Sequence, residues 1–521
     1  MADLPAERRR FSALLPLVVA GIALVVAYAW FAWFYLVKRQ AFFDDVFIYL
    51  HMARNASDFG TWQYFPMVDR PALLASSPVK ITLLSIAAWA TVLFGHAERT
   101  FDSAKLVLVV YAPLAWLMWW PFWRKHSVPF LLLGAAYFAL ALALDATVDF
   151  EGGLLFFWVA TLVALTTDSQ RNLKAIGWAL PIGFLIRPDV AFPVVVAVLV
   201  LLGIRQLRPL ALHLLLAGAV LGAAWVLLCW IMDVWPIPAT YWAKAAIPKI
   251  FEEKYMIEVF FERVGWVTGF RLLGSPAAAT VLGALIVFGF LFATVNDRRA
   301  KTVAAVTGLI VIALLYRAPA NFWWYYQNVV LAMLGATAGL VLRHSLGAPG
   351  NRRLVAAASP LAFTLFVFVV LMFGKGGQDG PHLWNVSVPS RAQGYQYLAS
   401  RALGDGTYDL PGIGRVLIKN PEMGMTNYFA GGRGWIWDSA GLAQPLDDPK
   451  VSHSPLRHFF PPTVRRSVRD DARILADRAG VPLRVVEVWA MEDRNFEAAR
   501  KACRYVIVEG AICANDFNML Q

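Results

Sequence analysis

Leu210-Ala-Leu-His-Leu-Leu-Leu-Ala-Gly-Ala-Val-Leu-Gly-Ala-Ala-Trp-Val-Leu-Leu-Cys-Trp-Ile-Met232 runs without a single Asp, Glu, Lys or Arg. As a helix rising 1.5 Å per residue it is about 35 Å long, enough to cross a hydrocarbon core, and lipid is the solvent that suits it. Similar runs recur at 13–37, 105–121, 127–145, 153–168, 172–187, 189–204, 275–295, 302–317, 325–343 and 353–374. The expected fold class is therefore a polytopic α-helical membrane protein of about eleven transmembrane helices. The bulk composition agrees, with 59% apolar and 16% charged residues over 521 positions and a mean hydropathy of +0.56. Soluble domains of this length do not carry that balance.

Composition shifts once, near Gly374, after which Pro, Gly, Asp and Arg are spread evenly. The expected division is a transmembrane domain over 1–374, with an outer loop at 38–104, and a soluble α/β domain over 375–521. In that tail the β-branched or aromatic runs Arg415–Lys419, Arg484–Trp489 and Tyr505–Glu509 predict strands, and 391–402, 465–479 and 495–502 predict helices. No internal repeat is evident, which counts against a transporter built from inverted halves.

The formal charge of +12 (47 basic against 35 acidic residues) does not point to nucleic acid. Its Lys and Arg cluster in short loops between apolar runs, where they orient a membrane protein and meet anionic lipid. Arg8, Arg9 and Arg10 precede an apolar run that continues to Val37 and ends in Lys38 and Arg39, too long for a cleaved leader. With that N-terminus inside, the basic loops at Arg124/Lys125, Arg171/Lys174, Arg205/Arg208, Arg298/Arg299/Lys301 and Arg343/Arg352/Arg353 all fall inside only if the apolar stretch 79–95 does not cross. That stretch is expected to lie at, or dip into, the outer interface. The outer side then receives 38–104, 146–152, the turn at 187–189, 233–274, 318–324 and the tail. Cys229 lies inside an apolar run, Cys503 and Cys513 share the tail and can pair in an oxidising compartment, and no zinc-ligand spacing is present.

Charged residues on that outer side are the candidates for chemistry. The first loop opens Phe43-Asp44-Asp45-Val46-Phe47-Ile48-Tyr49-Leu50-His51-Met52-Ala53-Arg54-Asn55. Two adjacent carboxylates at the wet end of a span can act as a general base, hold a divalent cation, or simply cap the helix that follows. Arg187 and Asp189 interrupt an otherwise apolar stretch where charge is expensive, the plain alternative being a Pro188 turn with two snorkelling side chains. Lys244 suits an anionic ligand or a solvated loop equally. Trp323, Trp324, Tyr325 and Tyr326 suit the lining of a sugar or lipid groove but read first as an interfacial aromatic belt, with Arg317 a weaker phosphate candidate beside them. Gly431-Gly432-Arg433-Gly434 lacks the spacing of a nucleotide fingerprint and reads as a turn.

Asp44-Asp45-Val-Phe-Ile-Tyr-Leu-His-Met-Ala-Arg54-Asn55, followed by Ser76-Ser77-Pro78, resembles the first outer loop of the C-superfamily (GT-C) glycosyltransferases, in particular the polyprenyl-phosphate-dependent, arabinofuranosyltransferase-like branch. Further pieces occur in the same order. Asp149-Phe150-Glu151-Gly152 is similar to a Gly-Met-Glu-Thr/Ser element, Leu185-Ile186-Arg187-Pro188-Asp189 to Leu-x-Arg-Pro-Glu/Asp, and Ile237-Pro238-Ala239-Thr240-Tyr241-Trp242-Ala243-Lys244 to Leu-Pro-Asn-Thr-x-Tyr-x-Lys. In the tail, Tyr428-Phe429-Ala430 with Asp438-Ser439-Ala440-Gly441-Leu442 resembles Tyr-Phe-Ser followed by Asp-x-x-Gly-Leu. The chain departs from the pattern where His51 and Met52 replace Arg and Tyr, where Ala239 replaces Asn, and where no acidic residue lies between Arg70 and Ser77.

The resemblance implies an inverting glycosyltransferase of a bacterial inner (plasma) membrane, with a cytoplasmic N-terminus and an extracytoplasmic tail. Its donor would be a polyprenyl-phosphate sugar, arabinofuranose being the sugar of that branch, and its acceptor a cell-envelope glycan, glycolipid or glycoprotein. Asp44 and Asp45 would be catalytic, with a divalent cation as an optional cofactor. Arg54, Glu151, Arg187, Asp189 and Lys244 would bind the lipid phosphate or sugar. Chemistry supplies the same demand, since a lipid phosphate leaves as an anion and the acceptor hydroxyl must lose a proton. The rival readings are a lipid or sugar transporter or flippase without covalent chemistry, and a lipid-to-lipid phosphoform transferase, which would call for a zinc site or strong nucleophile.

Overall fold

The computed structural model describes residues 44–66, 72–93, 169–187, 208–238, 398–410, 414–420, 424–431, 436–438, 484–488 and 505–507, with scattered positions around them. By backbone proximity the chain divides into two units. One comprises Met1–Lys38, Leu108–Gly222 and Pro248–Trp384, and the other Arg39–Val107, Ala223–Ile247 and Asn385–Gln521.

In the first unit, helix α3 covers Ser169–Ile186 and α4 covers Arg208–Ile231, whose last turns from Ala223 belong to the second unit. Among the described residues α4 alone is long and apolar enough to cross a membrane. One side of it stays uncovered by protein, with Leu212 61%, Leu216 56% and Trp230 78% exposed, while Leu214 and Trp225 are buried. Helix α3 carries Pro181 in its interior and receives Trp158 against Gly183, where an added Cβ would lie 2.1 Å from the indole. Only a glycine allows that approach, and the indole Nε1–H then donates to the Ala179 carbonyl at 2.7 Å. The last helical bond of α3 is Arg187 N–H to Gly183 O, and Pro188 follows, which disfavours helix at the residue before it.

In the second unit, α1 (Asp44–Phe59) packs on α2 (Pro78–Leu93). Ser77 caps α2: its Oγ accepts from Lys80 N–H, and Pro78 takes the first helical position, where a missing N–H costs nothing. The buried face of α2 carries Ile81, Leu84, Ala87 and Ala88, whereas its exposed face is also apolar, with Ile86, Trp89, Val92 and Leu93. Between the helices Trp62 is buried, stacks on Trp225 of α4 at 5.8 Å and donates from Nε1 to Ser85 Oγ. The end of α4 is stitched to the same loop. Trp62 N–H and Thr61 Oγ1 donate to the Met232 carbonyl, and Gln63 Nε2 donates to Asp233 Oδ2 at 2.6 Å.

The tail builds one sheet. Central strand β2 (Gly414–Asn420) pairs along one side with β4 (Arg484–Val488), in parallel. Along the other side it pairs first with β1 (Tyr408–Leu410), antiparallel, and then with β3 (Ile436–Asp438), parallel. Strand β5 (Tyr505–Ile507) adds antiparallel to β4. Strands β2, β4 and β5 occupy the three runs read as strands from their composition, while β1 and β3 are additions. The expected helices at 465–479 and 495–502 lie outside the described residues, as do Cys503 and Cys513. Between β2 and β3 the short helix α5 (Gly424–Ala430) packs on α1.

Candidate active site around the first outer loop

The site is built where α1, the start of α2 and α5 meet. Phe47, fully buried, lies between Tyr428 and Phe429 at ring distances of 5.4 and 5.6 Å. Burying such a ring is worth roughly 1.5–3 kcal/mol. Asn427 joins α5 to both neighbours, donating from Nδ2 to Tyr64 OH and accepting at Oδ1 from Ile436 N–H. Tyr428-Phe429-Ala430, 374 residues from α1 by the Arg54 bond, thus meets the helix that opens with Asp44-Asp45.

Arg54 is committed to this junction. Its Nε donates to Asp58 one turn on, its Nη1 donates to the Tyr428 carbonyl at 2.9 Å, and its guanidinium lies over the Tyr428 ring. Gly431 closes α5 at φ 60°, a left-handed conformation, and an added Cβ there would stand 2.9 Å from Arg54 Nη2. The backbone conformation favours glycine at that position, and any side chain there would push the guanidinium aside. Gly431 therefore ends the helix and borders Arg54. These contacts describe Arg54 as a clamp between loop and tail, whereas the sequence pattern assigns it to substrate.

His51 and Met52, two of the departures from the pattern the sequence resembles, are both buried. His51 donates from Nε2 to the Tyr64 carbonyl at 2.8 Å, and Asn55 Nδ2 donates to the Gln63 carbonyl at 2.8 Å. Burial pulls the His51 pKa down to about 4, against the opposing effect of the Tyr64 carbonyl and with a smaller push from the Arg54 charge. The imidazole is neutral at physiological pH and holds the loop after α1 in place.

Tyr49 forms the second half of the site. Its phenol oxygen accepts from Ser76 N–H and Ser77 N–H, both at 2.9 Å, and lies 2.8 Å from Ser76 Oγ. With both lone pairs taken, its proton goes to the serine. Lys80, fully buried in the first turn of α2, sets its Nζ 3.9 Å from the Tyr49 ring centroid. Sequence reasoning overlooked Lys80 within the apolar 79–95 stretch. Its signal was there, since a lone charge two residues past Ser77-Pro78 interrupts an otherwise apolar helix.

Among the other candidates, Asp44 and Asp45 form the first turn of α1, the position of acids that favour a helix N-terminus, and their side chains lie outside the described residues. Arg187 belongs to the other unit and is 7% exposed, so it does not snorkel as a plain turn residue would. Glu151, Asp189, Lys244 and the aromatic group at 323–326 also lie outside the described residues. Among the described residues no cluster of three His, Cys, Asp or Glu could hold a metal ion. In comparisons with known proteins the chain matches no family model, no curated protein and no solved structure.

Proposed function

We propose that this chain is a membrane-embedded sugar transferase working at the outer face of the lipid bilayer. Within that class we propose an inverting glycosyltransferase of the arabinofuranosyltransferase-like kind, using a polyprenyl-phosphate sugar and an envelope acceptor. One observation carries the reading. Two motifs of the resemblance that are far apart in sequence, the Asp44-Asp45 helix and Tyr428-Phe429-Ala430, are packed together through Phe47 and Arg54. Segments in contact lie on one side of a bilayer, which supports loop and tail sharing the outer side. The apolar exposed faces of α4 and α2 support lipid as their solvent, α4 across the membrane and α2 along its surface.

In the proposed reaction one carboxylate of the pair takes the proton of an acceptor hydroxyl. The freed oxygen forms a bond to the anomeric carbon as the bond from that carbon to the phosphate oxygen breaks, and the lipid phosphate departs with the electron pair. Inversion follows from the single displacement. Arg187 and Lys244 keep the role the sequence pattern assigns them, as cations for the leaving phosphate.

Asp→Asn separates catalysis from helix capping, because Asn caps as well as Asp but is no base. Asp44→Asn or Asp45→Asn should retain expression and thermal stability while transfer from polyprenyl-phosphate arabinofuranose in nanodiscs falls by about a hundredfold or more. Full transfer by both variants would remove the central residue of the proposal.

A further inference from the structure

Asp233 follows the last turn of α4 at φ 52°, and among the described residues it is the one other than glycine with a left-handed backbone. The helix ends there in a left-handed cap, with Val234 N–H donating to Cys229 O at 2.9 Å and Asp233 N–H to Trp230 O at 3.2 Å. Folding alone selects glycine or asparagine at such a position, because both enter the left-handed region and neither sets an anion against the negative end of the helix dipole. An aspartate there is disfavoured by its charge and, relative to glycine, by its conformation. Strain kept in this way points to a residue held for its chemistry.

The carboxylate is also aimed. Gln63 Nε2 donates to its Oδ2 at 2.6 Å, and Gln63 is 5% exposed and fixed at both backbone groups, its N–H donating to Thr61 Oγ1 and its carbonyl accepting from Asn55 Nδ2. Asp233 itself is exposed, and no donor among the described residues reaches its Oδ1. A carboxylate accepts and cannot donate, and it repels phosphate, so the ligand that suits it is rich in hydroxyl donors and carries no negative charge.

The place of the carboxylate sets a length. Thr61 and Trp62 hold the Met232 carbonyl and Asn55 holds Gln63, all at the C-terminal end of α1. Asn55 stands ten residues from Asp45, about 15 Å along the helix axis. One sugar ring does not span that separation.

We propose that Asp233 is a distal acceptor subsite, gripping a hydroxyl of a neutral glycan chain a few sugars away from the end that reacts. The assignment of that glycan as acceptor rests on the transferase reading above.

The test uses full-length protein in nanodiscs, polyprenyl-phosphate arabinofuranose as donor, and neutral arabinofuranose oligosaccharides of two and of six units as acceptors. Asp233→Asn keeps a residue suited to the left-handed cap and an oxygen for Gln63 while removing the charge, so its Tm should equal or exceed that of wild type. Its KM for the six-unit acceptor should rise about tenfold or more, the loss of one charge-assisted hydrogen bond, while its KM for the two-unit acceptor and for the donor stay near wild type. Asp233→Gly, which relaxes the cap, should give the same split between acceptors. If Asp233 only ends a helix, both variants use both acceptors as wild type does, and that result overturns the proposal. An equal rise for the two acceptors, or a rise in donor KM, overturns it as well.

Saturation-transfer NMR with the six-unit oligosaccharide and no donor separates the site from the reaction. Wild type should bind it, and Asp233→Asn should bind it about tenfold more weakly. Binding that depends on Asp233, in a wild type that transfers no sugar, would leave the subsite standing and sink the reading of function. Transfer by a wild type that does not bind the six-unit glycan would do the reverse.

Discussion

Helices α1 and α4 invert one another. In α1 the polar residues are inside: His51 and Asn55 are 1% and 0% exposed, each donating to a backbone carbonyl of the loop that follows, beside the fully buried Leu50 and Ala53. In α4 the apolar residues are outside, with Val220 47%, Leu227 51% and Ile231 64% exposed. A water-soluble protein would distribute them the other way, since apolar surface is what folding removes from water. Under the proposed membrane reading, the difference teaches that the two helices answer to different solvents. Helix α1 is covered by protein over Val46–Ala53 and satisfies its polar groups there, whereas α4, on the proposed reading, presents hydrocarbon to hydrocarbon and satisfies its backbone within itself.

The sharpest way to break this comparison is to put a charge on the exposed face of α4. Val220→Asp near the helix centre should cost about 2.5–3.5 kcal/mol of membrane insertion, read as loss of the integrated fraction after alkaline extraction. In a water-facing helix the same change on a half-exposed valine would be close to neutral. An integrated fraction equal to wild type would make α4 a helix of the aqueous phase and remove the contrast with α1.

A second test reads the buried side of the comparison through pH. His51 has a folded pKa of about 4, below its ordinary value of 6.5, because burial opposes its charge. Between those values the unfolded chain binds a proton that the native state does not, so stability rises with pH. The contribution is complete above pH 6.5 and is lost as pH falls toward 4, by at most about 3 kcal/mol. Wild-type protein should therefore lose more Tm between pH 7 and pH 4.5 than His51→Gln, which keeps a donor for the Tyr64 carbonyl and cannot titrate. Parallel Tm profiles would show that the imidazole is not held neutral by its surroundings.

The smallest expected effect concerns how α1 is covered. Arg54→Lys cannot reproduce both the Asp58 and the Tyr428 bonds of the guanidinium, and should cost about 1–2 kcal/mol, read as faster proteolytic release of the tail. Gly431→Ala strains the left-handed residue and crowds the same guanidinium, so the two substitutions together should cost less than their sum. Strict additivity would mean that Arg54 and Gly431 act apart, and that the tail covers α1 by apolar contact alone.

The sheet shows how far local pattern reaches. Strands β2, β4 and β5 were legible because Arg415-Val-Leu-Ile, Arg484-Val-Val and Tyr505-Val-Ile concentrate β-branched residues. Strands β1 and β3 were not, because Tyr408-Asp-Leu and Ile436-Trp-Asp each place an acid, a poor strand former, among three residues and become strands only through the two ends of one edge of β2. Likewise Asp233, at φ 52°, reads locally as an ordinary residue after a helix. Its left-handed conformation, costing about 1–2 kcal/mol, persists with its carboxylate accepting from Gln63.

From sequence alone came the apolar run of α4, the acid pair heading α1, strands β2, β4 and β5 and the order of the motifs, because each depends on neighbours within a few residues. Only the tertiary structure decided that the Tyr428 segment covers α1, that Arg54 is spent on that junction, and that Lys80 lies buried on Tyr49. Those facts depend on which distant groups exclude water from one another. Arg54 and Tyr428 stand 374 residues apart, and no local periodicity carries a charge's loss of solvent across that distance.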